Sequence, residues 1–185
     1  TEIYTLSLHD ALPILASLAL GQTVIKGLLK SDDVMKTIEV MRLFGAKINF
    51  KGNETCKING VGVGGILEPS QPLYFGNSGT SARLIMGVVA THPVSAIFTG
   101  DESLSKRPMQ RILEPLKLFG SDVSCREDNY LPVIIKGSKL PIPISYKLEL
   151  PSAQVKSAIL LAGLNTPGTT EVIDKFNTRD HTERL

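Results

Sequence analysis

Four short polar runs carry the residue types that could do chemistry, and each stands where an apolar helical pattern is about to begin. Gly76-Asn77-Ser78-Gly79-Thr80-Ser81-Ala82-Arg83 opens one such helix. Its glycines let backbone approach a ligand, and free N–H groups at a helix start suit an anion. The same run also reads as an ordinary capped turn. Asp101-Glu102-Ser103-Leu104-Ser105-Lys106-Arg107-Pro108 leads into a further helix. An arginine fork at Arg107 could hold a phosphate or carboxylate bidentately, helped by the helix dipole. The plain alternative is a solvated charge run. Pro151-Ser152-Ala153-Gln154-Val155-Lys156 places Ser152 and Gln154 at a helix start. There they could hydrogen-bond hydroxyls or an anion, or Ser152 could simply cap the helix. Asn177-Thr178-Arg179-Asp180-His181-Thr182-Glu183-Arg184 packs charge and hydroxyls together. His181 taken alone is more often an exposed or satisfied histidine than a catalyst.

These runs share a setting. Leu43-Phe44-Gly45 returns as Leu118-Phe119-Gly120, 75 residues later, and Gly60 returns as Gly137, 77 later. Each pair encloses a strand, a polar turn (Gly52-Asn53-Glu54, then Glu127-Asp128-Asn129) and a second strand. A turn followed by a strand recurs at Gly21–Ile25, Pro93–Ile97 and Gly168–Val172, each time after an alanine- and leucine-rich helix. A period near 75 exceeds that of solenoid repeats. It fits a unit of helix, strand, helix, strand, strand used three times, with the third copy cut short at Leu185. In such a pseudo-threefold domain, equivalent helix starts converge on one surface. A ring of helix N-termini, two arginines and several hydroxyls describes a site for an anionic ligand.

The helices are legible. Ser31 followed by Asp32 and Asp33 supplies a cap and first-turn acids, with Val34, Ile38 and Met41 on one face. Leu84, Ile85, Val88 and Val89 follow Gly79. A further helix has Pro108 at its first turn and a stripe of Met109, Ile112, Leu113, Leu116 and Phe119, with Pro115 inside it expected to kink it. Val155, Ile159 and Ala162 mark the helix after Ser152. Every stripe is read as core.

Composition narrows the function. The chain has 185 residues, 42% apolar and 21% charged, which is globular and close to one domain in size. A net charge of +2 argues against non-specific nucleic-acid binding, and 5% aromatics with no tryptophan argue against a stacking platform. The greasiest stretch, Ala11–Leu20, contains Pro13 and Ser17 and is far shorter than the ~18 residues of a membrane span. No lysine or arginine precedes Lys26, so a secretory n-region is missing. Cys56 and Cys125 form neither a disulfide framework nor a zinc spacing, which suits reduced thiols in the cytoplasm.

At Gly-Asn-Ser-Gly-Thr (76–80), Gly-Asp-Glu-Ser-Leu-Ser-Lys-Arg-Pro-Met (100–109), Ser-Ala-Gln-Val-Lys-Ser-Ala (152–158) and Thr-Arg-Asp-His-Thr-Glu (178–183) the chain resembles the 5-enolpyruvylshikimate-3-phosphate synthase family. The likeness runs from about Leu15 to Leu185. It implies an α/β fold, the inside-out α/β barrel or prism of enolpyruvyl transferases, and most of the first of two such domains. It implies transfer of the enolpyruvyl group of phosphoenolpyruvate to the 5-hydroxyl of shikimate 3-phosphate, with release of phosphate, no metal and no cofactor, in a cytoplasmic monomer. Carried over by motif, Gly79, Arg107 and Gln154 bind phosphoenolpyruvate, with Asn77 and Thr80 shaping that loop. Ser152, Ala153, Gln154 and Thr178 bind shikimate 3-phosphate. Ala153 stands where many members have serine, Thr178 replaces a phosphate-binding serine, and His181 falls where some have tyrosine. Gly79 leaves room where inhibitor-insensitive relatives carry an alanine methyl.

Two departures qualify the resemblance. The family opens with a Pro-Gly-Asp-Lys-Ser-type loop and a nearby arginine. Here Thr5-Leu6-Ser7-Leu8-His9-Asp10-Ala11-Leu12-Pro13-Ile14 stands instead, and it resembles a translated sequencing adapter. Residues 1–14 are therefore set aside as non-native, and 15–185 read as an incomplete first domain. The acid/base residues are expected in a second domain, so the chain alone is expected not to turn over. The alternatives are UDP-N-acetylglucosamine enolpyruvyl transferase, which shares the fold, and a non-catalytic anion-binding repeat module.

Overall fold

The computed structural model describes residues 2–52 and 55–185. The first unit runs α1 (Glu2–Leu18), β1 (Gln22–Lys26), α2 (Asp32–Leu43), β2 (Lys47–Lys51) and β3 (Thr55–Asn59). The second runs β4 (Leu73–Tyr74), α3 (Gly79–Ala90), β5 (Ser95–Thr99), a short α4 (Glu102–Ser105), α5 (Gln110–Leu118), β6 (Asp122–Arg126) and β7 (Tyr130–Lys136). The third holds β8 (Ser145–Lys147), α6 (Ala153–Gly163) and β9 (Glu171–Ile173). Of the turn expected at Gly52-Asn53-Glu54, residues Asn53 and Glu54 lie outside the described residues.

The repeat survives as topology. The first sheet has the order β1-β3-β2, all antiparallel. The second repeats it as β5-β7-β6 and adds β4 parallel to β5. The third pairs β8 parallel to β9, in the manner of β4 and β5. The 75-residue offset has a physical cause. Phe44 and Phe119 are both fully buried just past a helix end. Gly45 and Gly120 follow with φ of 99° and 91°, a left-handed turn that glycine adopts freely. Leu67 N then donates to Phe44 O at 3.0 Å, and Ile142 N to Phe119 O at 3.2 Å. Gly60 and Gly137 are equivalent too. A Cβ there would come within 2.2 Å of Ala19 O and 2.0 Å of His92 O, where the unit's last strand abuts the end of its first helix.

Helices form the interior and sheets the outside. Leu84, Ile85, Met86, Val88, Val89 and Ala90 of α3 are all buried, so this helix is apolar on nearly every side. It crosses α6 at Gly87, where a methyl would fall 2.2 Å from Ala158 O. The sheets turn one face inward by simple alternation: Ala96 and Phe98 from β5, Leu131, Val133 and Ile135 from β7. Phe75 and Phe98 stack with centroids 5.6 Å apart. This is the expected inside-out α/β arrangement. Among the described residues the three sheets stay separate, and no closed barrel forms.

One helix start differs from expectation, and α1 reaches back beyond Leu15. α1 runs unbroken across the boundary at residue 14, and Asp10, Ala11 and Ile14 are buried. The segment set aside as non-native thus contributes to the core. The helix behind Pro108 starts at Gln110, because Asn129 Oδ1 accepts from Met109 N at 3.0 Å and Gln110 N at 2.8 Å. Cys56 and Cys125 are free thiols. Among the described residues no helix is long and apolar enough to cross a membrane.

His92, 1% exposed, pins the end of α3 to the loop after β3. Gly64 N donates to its Nε2 at 3.1 Å, so Nε2 carries no proton and Nδ1 donates to Val88 O at 2.7 Å. Burial pushes this imidazole below the usual histidine range, against a smaller upward pull from Val88. The unfolded chain therefore takes up the proton first. Stability from His92 is full above about pH 6.5 and falls as the pH drops below that value. Urea unfolding between about pH 7 and pH 5 should show this slope, and His92→Gln should flatten it.

Candidate anion-binding site

The site sits at the starts of α3 and α6. Ser78 caps α3, accepting from Ser81 N at 3.4 Å and donating to Ser81 Oγ at 2.8 Å. Ser81 Oγ lies 2.5 Å from Thr37 Oγ1, and Thr37 Oγ1 donates to Asp33 O at 2.9 Å. This buried hydroxyl chain locks the first turn of α3 onto α2. Asp101 N donates to Gly76 O at 2.8 Å, which brings the Asp101–Pro108 run beside the Gly76–Thr80 loop. Asp101 caps the short α4 by accepting from Leu104 N at 2.7 Å, and α4 delivers Arg107.

Arg107 Nη2 donates to Asn77 Oδ1 and, at 3.3 Å, to Ser103 Oγ. Arg83, one turn beyond Gly79, sends Nη1 to Gln154 Oε1 at 2.9 Å. Gln154 Nε2 in turn donates to Thr80 Oγ1 at 2.9 Å. A methyl on Gly79 would meet Arg83 Nη1 at 2.8 Å and Arg107 Nη1 at 3.3 Å. An alanine here would push the Arg83 guanidinium out of its present place. Burial, then the Arg107 charge, holds the Arg83 guanidinium below its ordinary pKa. Two like charges this close, one partly desolvated, are relieved by an anion between them.

A pocket of about 260 Å³ adjoins this cluster. Thr80 and Leu84 of α3, Ala153, Gln154 and Ser157 of α6, and Arg179, His181 and Thr182 line it. Asp10 of α1 and Asp33 of α2 close the other side. Burial, and then the Asp33 charge, push the Asp10 carboxyl up to about 7. Among the described residues no histidine, cysteine or carboxylate cluster could hold a metal ion. Hydroxyls, an amide and arginines around a helix start can bind a polyol phosphate or a carboxylate.

The structure brings Gly79, Arg107, Gln154, Asn77 and Thr80 together, with Ala153 on the adjoining wall. It places two expected residues elsewhere. Ser152 caps α6, accepting from Val155 N at 3.3 Å, and faces a different cavity with Arg111 and Tyr146. Thr178 Oγ1 donates to Asp174 Oδ2 at 2.6 Å, outside the main pocket. Sequence reasoning had not singled out Arg83, Arg179, Ser157 or Thr182. Arg83 carried a signal, because a residue four beyond Gly79 lies over it on a helix.

Fold and site together define a helix-cored α/β domain of repeated units, with a cleft at its helix starts lined by arginines, an amide and hydroxyls. The chain belongs to the EPSP synthase (3-phosphoshikimate 1-carboxyvinyltransferase) family, whose sequence profile matches residues 9–185. The 3-phosphoshikimate 1-carboxyvinyltransferase of Paracoccus denitrificans is 54% identical over 177 residues, covering 96% of this chain and 40% of that protein. That of Zymomonas mobilis is 55% identical over 177 residues, covering 96% and 39%. The solved EPSP synthase from Acinetobacter baumannii superposes with a TM-score of 0.92 at 42% identity, covering 96% of this chain and 40% of that one. The chain thus spans about 40% of the length of the curated relatives it matches.

Proposed function

We propose that the chain is the substrate-binding first domain of an enzyme that transfers the enolpyruvyl group of phosphoenolpyruvate to the 5-hydroxyl of shikimate 3-phosphate. The observation that carries this reading is the convergence of Gly79, Arg83, Arg107 and Gln154. Phosphoenolpyruvate, with a phosphate and a carboxylate, matches two guanidinium forks. Shikimate 3-phosphate takes the adjoining pocket, its hydroxyls toward Thr80, Gln154 and Ser157 and its phosphate toward Arg179. Ser152 and Thr178 act there by shaping the α6 start and the 174–183 turn. The acid/base groups belong to a second domain, and the whole enzyme works as a cytoplasmic monomer without a cofactor.

Residues 1–14 are non-native in this reading. Support comes from Asp10, whose buried Oδ1 has no hydrogen-bond partner and lies in a pocket meant for anions. Phosphoenolpyruvate titrated calorimetrically into protein saturated with shikimate 3-phosphate should bind at one site. Arg107→Gln should weaken that binding by about tenfold to a hundredfold. Equal affinity in the two proteins would remove Arg107 from the site.

A further inference from the structure

Residues two apart on a helix point to nearly opposite sides, and α6 uses both. Gln154 faces the arginine cluster. Lys156 turns the other way, with 6% of its surface exposed. Its Nζ donates to Glu183 Oε1 at 2.7 Å, Asp174 Oδ2 at 3.2 Å and Thr178 O at 3.2 Å. Three donors thus meet three acceptors, which saturates the ammonium. Asp174 accepts further from Phe176 N at 2.9 Å, Thr178 N at 3.0 Å and Thr178 Oγ1 at 2.6 Å. One turn of chemistry away, Ser157 Oγ and Thr182 Oγ1 share a hydrogen bond of 2.7 Å. Between the two anchored ends run Arg179, His181 and Thr182, the residues that close the pocket wall.

We propose that Lys156 is a positioning residue whose ammonium clamps both ends of the 174–183 strap and thereby sets where Arg179, His181 and Thr182 stand on the pocket. Stability alone gives no reason for a charge here. Burying an ammonium costs desolvation, and an apolar side chain of that volume commonly serves stability as well. What the ammonium alone supplies is three-point attachment of a segment that has little regular structure of its own. The clamp also stays charged. Burial lowers the Lys156 pKa, but the hydrogen bonds to Glu183 and Asp174 outweigh it and leave the net shift upward. Thr178 first, with the Phe176 amide and Lys156 behind it, holds the Asp174 carboxyl down at about 2. The ligand named below rests on the reading of the pocket as a shikimate 3-phosphate site; the clamp itself does not.

The test combines amide hydrogen exchange across residues 175–184 with calorimetric titration of shikimate 3-phosphate, on the chain and on Lys156→Met and Lys156→Arg. Lys156→Met should speed exchange of the Phe176 and Thr178 amides at least about tenfold while α3 keeps its protection. It should weaken shikimate 3-phosphate about tenfold, and Lys156→Arg should recover most of both. Wild-type exchange in the strap, or loosened exchange with unchanged affinity, overturns the proposal. Should Lys156→Met also unprotect α3, Glu183→Gln decides, since Glu183 is one-third exposed and lies outside the core. It should speed exchange at residues 180–184 alone, and unchanged exchange there overturns the clamp. If the unmodified chain binds no shikimate 3-phosphate, the functional reading fails, and the strap exchange alone decides for or against the clamp.

Discussion

Asp10→Asn should stabilise the chain by roughly 2–4 kcal/mol at about pH 8 and by little near pH 4. Asp10 is 2% exposed, its Oδ1 has no partner, and Asp33 stands beside it. Its pKa is about 7 folded, against an ordinary aspartate value near 4 in the unfolded chain. Between those values the unfolded chain gives up the proton and the folded chain keeps it. Stability therefore falls as the pH rises from about 4 to about 7, and stays low above that. Asparagine carries no charge to bury, so the slope should vanish with it. Urea unfolding of both proteins at about pH 5 and pH 8 measures this, and equal midpoints at pH 8 would contradict it.

Gly87→Ala should act in the opposite sense and as strongly. The added methyl would sit 2.2 Å from Ala158 O, 2.8 Å from Ala158 C and 2.9 Å from its Cα. These are backbone atoms of a buried helix, so no side chain can swing away to make room. α3 and α6 would have to part along the contact that carries the core and both starts of the cleft. Overpacking of this kind costs about 1–3 kcal/mol, and more where backbone must move. We expect at least the upper end, with anion binding weakened in the same protein because Gln154 leaves Thr80 and Arg83. Ser95→Ala, on an exposed strand position, serves as the control. A Gly87→Ala protein with the unfolding midpoint of the unmodified chain would disprove this packing.

The two copies of the repeat were legible because their markers are chemical necessities. Phe44 and Phe119 fill the same place in the core, Gly45 and Gly120 turn left-handed after them, and Gly60 and Gly137 allow a close backbone approach. Most of the cleft could be read only from several polar helix starts taken together and from the family motifs, since Gly79 alone also fits a capped turn and Arg107 alone a solvated charge run. What escaped has causes as well. α4 is four residues long, too short for any periodicity, although Asp101 as cap and Glu102 in the first turn were its signal. β4 and β8 span two and three residues and exist through parallel pairing with strands far along the chain. Nothing local encodes them. Ser152 and Thr178 carry hydroxyls that the sequence places near the ligand. In the structure the first accepts from Val155 N as the α6 cap and the second donates to the half-buried Asp174, the latter a contact that nothing local in the sequence marks.

The central claim is that a phosphorylated substrate seats at the starts of α3 and α6. The most direct measurement is a titration of the isotope-labelled chain with shikimate 3-phosphate, followed through backbone amide resonances. The account predicts saturable shifts at Gly79, Thr80, Ala153, Gln154 and Arg179, with β1, β2 and β3 unmoved. Shifts confined to other parts of the molecule, or none at saturating ligand, would contradict it.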